Sequence, residues 1–278
     1  MMIKVPLEKF LNAKEKYENF IKLRGREPAY VSVLGRVAWT PNFKASVRNH
    51  EKFKELKDRE PKCVNVACDD GPLKVAVYGG NFVGPNCLKQ TVSFLDSMVR
   101  TKYVVITRIT KPALKGKDVL ILPGGDSGRL YIHNAPIDSV AIDEFMRGGG
   151  GVVATCAGAY ACSYEVVGRY KGWGFAPSIR AYPSCYEGKV TIEPLSEWSD
   201  TLMAEGPLEM QHHGGPAFEK GVAKYTKGPN ELKGRYAIAF DYYGKGRIVL
   251  IGPYPEFTRE CRELFLPSIV RWAGKRII

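Results

Sequence analysis

No run of about 18 apolar residues occurs in the chain, so no helical membrane span is expected. Cysteine is uncommon and odd in number: seven, at Cys63, Cys68, Cys87, Cys156, Cys162, Cys185 and Cys261. They include no Cys-x-x-Cys pair and no histidine at zinc-ligand spacing, so neither a disulfide framework nor a metal site is predicted. Histidine is scarcer, with four residues, which makes the search for a general base finite. The net charge is +12, yet no block of five or six basic residues appears. A generally basic surface is the reading, and nucleic acid is not an expected partner. Met1-Met2-Ile3-Lys4-Val5-Pro6-Leu7-Glu8-Lys9 reaches charged residues too early for a secretory signal, so the protein is expected to be intracellular when made. At 278 residues and 45% hydrophobic content, the chain can bury one large core and a small module besides.

The first seventy residues contain an internal repeat with an offset of 33. Phe10 aligns with Phe43, Glu18 with Glu51, Phe20 with Phe53 and Leu23 with Leu56. Arg26-Glu27-Pro28 then aligns with Arg59-Glu60-Pro61, and Val31 and Val33 with Val64 and Val66. Each copy predicts an amphipathic helix, a proline-enforced stop and a short extended segment with alternating valines. On these residues the module, about residues 3 to 69, resembles the pseudomurein-binding repeats of archaeal cell-wall proteins. That resemblance implies a cell-wall polymer (pseudomurein) as partner and a place at the cell envelope. A helical docking arm is the alternative.

From Leu73 the pattern becomes one of alternating strands and helices. Apolar strands are predicted at Leu73–Tyr78, Tyr103–Thr107, Asp118–Leu122, Gly151–Thr155 and Arg247–Ile251, with helices near residues 87–99, 137–147 and 257–274. This predicts an α/β fold, a doubly wound and mostly parallel sheet, with the site at the strand carboxyl ends. The domains are expected at residues 1–70 and 71–278.

The most informative segment is Gly148-Gly149-Gly150-Gly151-Val152-Val153-Ala154-Thr155-Cys156-Ala157-Gly158-Ala159-Tyr160. A glycine run, a short strand and a thiol among small residues describe a strand-to-helix elbow. Backbone N–H groups at the following helix start can lower a thiol's pKa and hold an oxyanion there. The loop Leu122-Pro123-Gly124-Gly125-Asp126 supplies a natural oxyanion partner.

With His213-Gly214-Gly215-Pro216 and Gly252-Pro253-Tyr254-Pro255-Glu256, these motifs resemble the class I glutamine amidotransferase-like (flavodoxin-like) fold. The nearest branch is the one at the amino terminus of biotin-protein ligases. The resemblance implies a cysteine attacking an amide, assisted by a histidine and a glutamate two residues beyond it. Here the histidine position is Tyr254, and only Glu256 of that pair is present. A phenol is a poor base at neutral pH.

The replacement candidates are His212 and His213, placed in a loop beside the cleft and oriented by Glu209, Glu205 or Glu256, with His133 as a further candidate. The expected catalytic set is therefore Cys156, His213, His212 and Glu256. The expected binding set is Gly124, Gly125, Asp126, Ala157, Tyr160, Gly214, Gly215 and Tyr254. No cofactor is expected. Three functions remain open: a cysteine amidohydrolase acting on an amide-containing small molecule or peptide, a binding protein on an inactive scaffold, and an accessory domain of biotin-ligase type.

Overall fold

The computed structural model describes residues 2–28, 30–34, 36–68, 71–204 and 206–275. Two compact units emerge, one ending at Pro72 and the other spanning Leu73–Lys275.

In the first unit each copy of the repeat is strand, helix, strand. Strands Met2–Pro6 and Arg36–Trp39 lead into helices Leu7–Arg24 and Thr40–Lys57, which are followed by strands Tyr30–Val33 and Cys63–Ala67. Both helices end on a left-handed residue, Gly25 and Asp58, again 33 apart. The leading strands are not anticipated by sequence, because four or five residues carry too short a period to read. Their role lies in the pairing: Met2–Pro6 runs antiparallel to Cys63–Ala67, and Tyr30–Val33 antiparallel to Arg36–Trp39. Each copy thus completes the ribbon of the other. Phe10 and Phe43 are fully buried with ring centroids 5.5 Å apart. Val5 and Ala38, and Val33 and Val66, are likewise buried as repeat-related pairs. Polar contacts repeat as well. The Tyr17 hydroxyl donates to Glu27 at 2.5 Å, and His50 Nε2 lies 2.7 Å from Glu60.

In the second unit five parallel strands run in the order Thr101–Ile106, Leu73–Tyr78, Val119–Leu122, Gly151–Thr155, Gly246–Ile251. Numbered along the chain this is 2-1-3-4-5, the doubly wound flavodoxin-like order. Helices Pro85–Ser97 and Ser139–Arg147 lie in the connections. Strand Tyr236–Tyr243 extends the sheet antiparallel to Gly246–Ile251, and further strands from residues 163–227 follow it, mostly antiparallel, with Ser163–Val166 and Ala176–Tyr182 paired in parallel. The closing helix predicted near 257–274 is broken into a 3-10 turn Pro255–Phe257, a π turn Cys261–Phe265 and a helix Leu266–Ala273. Pro267 explains the break: it has no N–H to continue the ladder, and its ring displaces the carbonyl one turn earlier.

Candidate functional site

Strand Gly151–Thr155 is buried along its whole length and pairs with Val119–Leu122 on one side and Gly246–Ile251 on the other. The three strands end in register, so the elbow, the 123–126 loop and the 252–256 loop converge. That register, set by apolar strands, brings Cys156, Gly125 and Tyr254 together.

Cys156 has φ 48° and ψ −105°, a conformation a non-glycine residue adopts only under strain. Its N–H donates to the Ile251 carbonyl and its carbonyl accepts from the Tyr160 N–H, both at 2.9 Å. Gly158 permits the turn, since an added Cβ would stand 2.5 Å from the Leu122 carbonyl oxygen. Gly125 is equally constrained, with an added Cβ 2.0 Å from the Phe82 carbonyl oxygen. Pinned there, the Gly125 N–H and the Ala157 N–H are both directed at the Cys156 sulfur. Gly124 lies under the Tyr254 ring, where a Cβ would approach Cε1 to 2.5 Å. Asp126 is exposed beside this loop, its N–H donating to the Phe82 carbonyl at 2.9 Å.

Tyr254 occupies the centre. It packs with Cys156 and Cys87 in one buried cluster, its hydroxyl on the Cys156 thiol. Burial nonetheless dominates: the Cys156 thiol is pushed up to about 11, against the pull of Tyr254, Ala157 and Gly125. The expected lowering by the helix start is therefore overturned, because desolvation of a thiolate outweighs the N–H groups aimed at it. Cys87 is pushed up to about 12 by burial and by the nearby Glu256. Tyr254 itself is raised well above the usual phenol range by burial and the adjoining thiols, so it holds its proton. Glu256 is buried and raised to about 8 by desolvation, with its own backbone N–H as its stabilising contact. Its Oε2 has no hydrogen-bond partner among the described residues.

The histidines are not brought to the thiol. His212 and His213 lie at the end of strand Leu208–His213, not in a loop, and strand alternation sends their side chains to opposite faces. His212 is buried between the Tyr186 and Tyr225 rings, with Nδ1 3.0 Å from the Tyr186 carbonyl and Nε2 unpartnered among the described residues. Desolvation holds its pKa below the usual histidine value. The His213 ring points outward beside Glu187 at 3.3 Å, and only its backbone carbonyl meets Cys156, accepting from the thiol at 3.7 Å. His133 is exposed in a surface hollow with Ser127, Arg129, Leu130 and Asn134. Glu209 pairs with Lys189 at 2.7 Å, and Glu205 lies outside the described residues.

Tyr160 and the Gly214–Gly215 turn shape the surrounding wall. The Tyr160 hydroxyl donates to the Gly214 carbonyl at 3.0 Å and accepts from the Ser184 N–H at 3.2 Å. Gly215 packs on Gly252, where a Cβ would approach the carbonyl oxygen to 2.0 Å. A cleft of about 420 Å³ opens beside them, lined by Asn86, Cys87, Gln211, His212, Tyr254 and Phe257, with Glu187, Gly188 and His213 at its margin. Cys156 does not line it; Tyr254 does. Cys87 was not among the expected site residues. Its signal was there in Pro85-Asn86-Cys87, a helix start directly after the first strand's glycine loop. Among the described residues no cluster of three or more His, Cys, Asp or Glu could hold a metal ion.

Residues 73–170 match the family model described as "Biotin-protein ligase, N terminal". The biotin–protein ligase of Schizosaccharomyces pombe is 27% identical over 219 residues, which cover 68% of this chain. The match spans about a third of the yeast protein's length, 34%. Among solved structures, a ThuA-like protein from Bacteroides uniformis superposes with a TM-score of 0.53 at 16% identity, covering 74% of this chain and 93% of its own. A glutamine amidotransferase aligns with a TM-score of 0.48 at 19% identity, over 73% of this chain and 98% of its own. Over residues 73–170 the second unit thus resembles the biotin-protein ligase amino-terminal family.

Proposed function

We propose that the Leu73–Lys275 unit is a ligand-binding domain on an amidotransferase-like scaffold, an accessory domain of biotin-ligase type that does not turn over amides. One observation carries this reading: Cys156 faces the Tyr254 hydroxyl where a base is needed. Attack on a carbonyl requires the thiol to lose its proton. Tyr254 is raised well above the usual phenol range and still carries its own proton. Glu256, at about 8, is mostly protonated at neutral pH. The cradle formed by the Gly125 and Ala157 N–H groups is suited to the carbonyl oxygen of an amide-containing small molecule or peptide, held without reaction. Iodoacetamide labelling of Cys156 across pH tests it. The expected titration midpoint is near 11. A midpoint well below about 8.5 would overturn it.

Two observations favour a second reading, a cysteine amidohydrolase: the strained backbone at Cys156, and two N–H groups converging on its sulfur. Its base would be His213, reaching the sulfur only after its ring leaves Glu187. Amide hydrolysis that is abolished by both Cys156→Ser and His213→Gln supports this reading, and hydrolysis surviving either variant removes it.

The repeats form the partner-binding part of the proposal. Leu23 and Leu56, 33 apart, are both strongly exposed, at 82% and 69%, giving the two copies the same apolar position on their surfaces. A repeating polymer such as pseudomurein suits a duplicated surface, and would place the protein at the cell envelope. Co-sedimentation of the full chain with purified pseudomurein is the test. Pelleting lost in Leu23→Glu/Leu56→Glu supports wall binding, and no pelleting at low salt excludes it.

A further inference from the structure

The glycine run Gly148-Gly149-Gly150-Gly151 stands at the end of its strand opposite to Cys156, and it borders a second, larger cavity of about 650 Å³. The floor of this cavity is apolar. Leu114 and Ala141 are each 3% exposed, and the tip of the half-buried Phe145 ring rests on Gly150, where an added Cβ would stand 2.3 Å from Cζ. The rim is basic, formed by Lys111, Lys115 and Lys117. Glu144 is the lining carboxylate, and Lys111 engages it at 2.7 Å. Lys115 and Lys117 have no ion-pair partner among the described residues. Positive charge continues across the run, since a Cβ on Gly149 would lie 3.0 Å from Lys275 Nζ.

We infer that this cavity binds an organic anion with an apolar body, its carboxylate or phosphate head held between Lys115 and Lys117 and its body set on Leu114, Ala141 and Phe145. The volume lies in the range of small-molecule sites, about 300–1,000 Å³. A neutral apolar ligand would bury the floor and leave two ammonium groups without a counter-charge. A bare inorganic anion would neutralise the lysines and leave the floor wet. Only a ligand carrying both features gains the burial of apolar surface and the charge pairing together.

The probe is anilinonaphthalene sulfonate, an aromatic anion whose fluorescence rises in apolar surroundings, titrated onto the full chain. Saturable binding is expected, with competition by decanoate or phenyl phosphate; which of the two competes better assigns the head group. The variant Lys115→Gln/Lys117→Gln, checked by circular dichroism, should weaken probe binding by about tenfold or more. Cys156→Ser should leave it unchanged, which separates this site from the elbow. Salt supplies an independent measurement: raising sodium chloride to about 0.5 M should weaken binding to the natural chain and have little effect on the double-glutamine variant. Equal competition by decanol, full competition by inorganic phosphate alone, or unchanged affinity in the double variant would each overturn the assignment.

Discussion

Three carboxylates separate the two units of this molecule. Glu27 receives the Tyr17 hydroxyl and Glu60 receives His50, a contact built twice from repeat-related positions, and each carboxylate adds a lysine from a position that does not repeat, Lys44 and Lys54. Hydrogen bonding and charge from Lys54 and His50 hold Glu60 below the usual carboxylate range. Glu256, beside the elbow, has only its own N–H, and burial raises it to about 8. Glu60 is thus held ionised in a module organised by repetition, and Glu256 is held mostly neutral at neutral pH at a site formed once. The repeat unit pairs both of these carboxylates, although His50 Nδ1 is buried there without a hydrogen-bond partner among the described residues. The elbow keeps a strained cysteine, and a Glu256 oxygen and a His212 nitrogen that are unpartnered among the described residues, close to a cleft and at a cost to stability.

The repetition is tested hardest at its core. Phe10→Ala and Phe43→Ala each remove a fully buried ring, and each should cost about 3–5 kcal/mol. If the two copies share the load, the costs agree within about 1 kcal/mol, as measured by urea unfolding. A large cost at one site and almost none at the other would break the symmetry between the copies.

At the elbow the corresponding test restores what the sequence lacks. Tyr254→His would put an imidazole against Cys156 and two residues before Glu256. Thiolate character should then rise, and alkylation of Cys156 at pH 7 should become about a hundredfold faster or more. Unchanged alkylation would mean that burial alone silences the thiol and that the tyrosine is incidental.

Much of this comparison was legible in the sequence. The 33-residue offset already paired Phe10 with Phe43, and the glycine-framed thiol already located the elbow. The five parallel strands could be read because buried parallel strands are continuous apolar runs. What escaped was set by tertiary context. Leading strands of four or five residues acquire meaning only from pairing with the other copy. The outward turn of His213 follows from strand alternation at Leu208–His213, a segment that its glycine neighbours made look like a loop. The raised thiol pKa depends on how deeply the elbow is covered, and motif spacing does not encode that.

Glu256 gives the comparison a pH signature. Its folded pKa, about 8, lies above its ordinary value of 4.5. Folding therefore favours the protonated acid, so its contribution is full below about 4.5 and is lost as pH rises toward 8. Glu256→Gln keeps the shape and removes the titration. Its stability should match that of the natural protein near pH 4.5 and exceed it by about 4 kcal/mol near pH 8 in urea unfolding, the gap opening at about 1.4 kcal/mol per pH unit between those values. A difference that is flat between these pH values would show that Glu256 is already ionised in the folded protein.

The smallest effect is expected where the repeat supplies its own control. Ser46 and Ala13 are repeat-related and equally buried, 4% exposed each. The Ser46 hydroxyl donates back to the Asn42 carbonyl at 3.0 Å, a bond within the helix that Ala13 does without. Ser46→Ala loses that bond but gains helix propensity, and the two nearly cancel, so the expected change is within about 0.5 kcal/mol. The reverse change, Ala13→Ser, should be as small if its hydroxyl can reach the carbonyl one turn earlier, that of Lys9. A cost above about 1 kcal/mol in one direction only would mean that the two helices, despite sharing their buried faces, are packed to different tolerances.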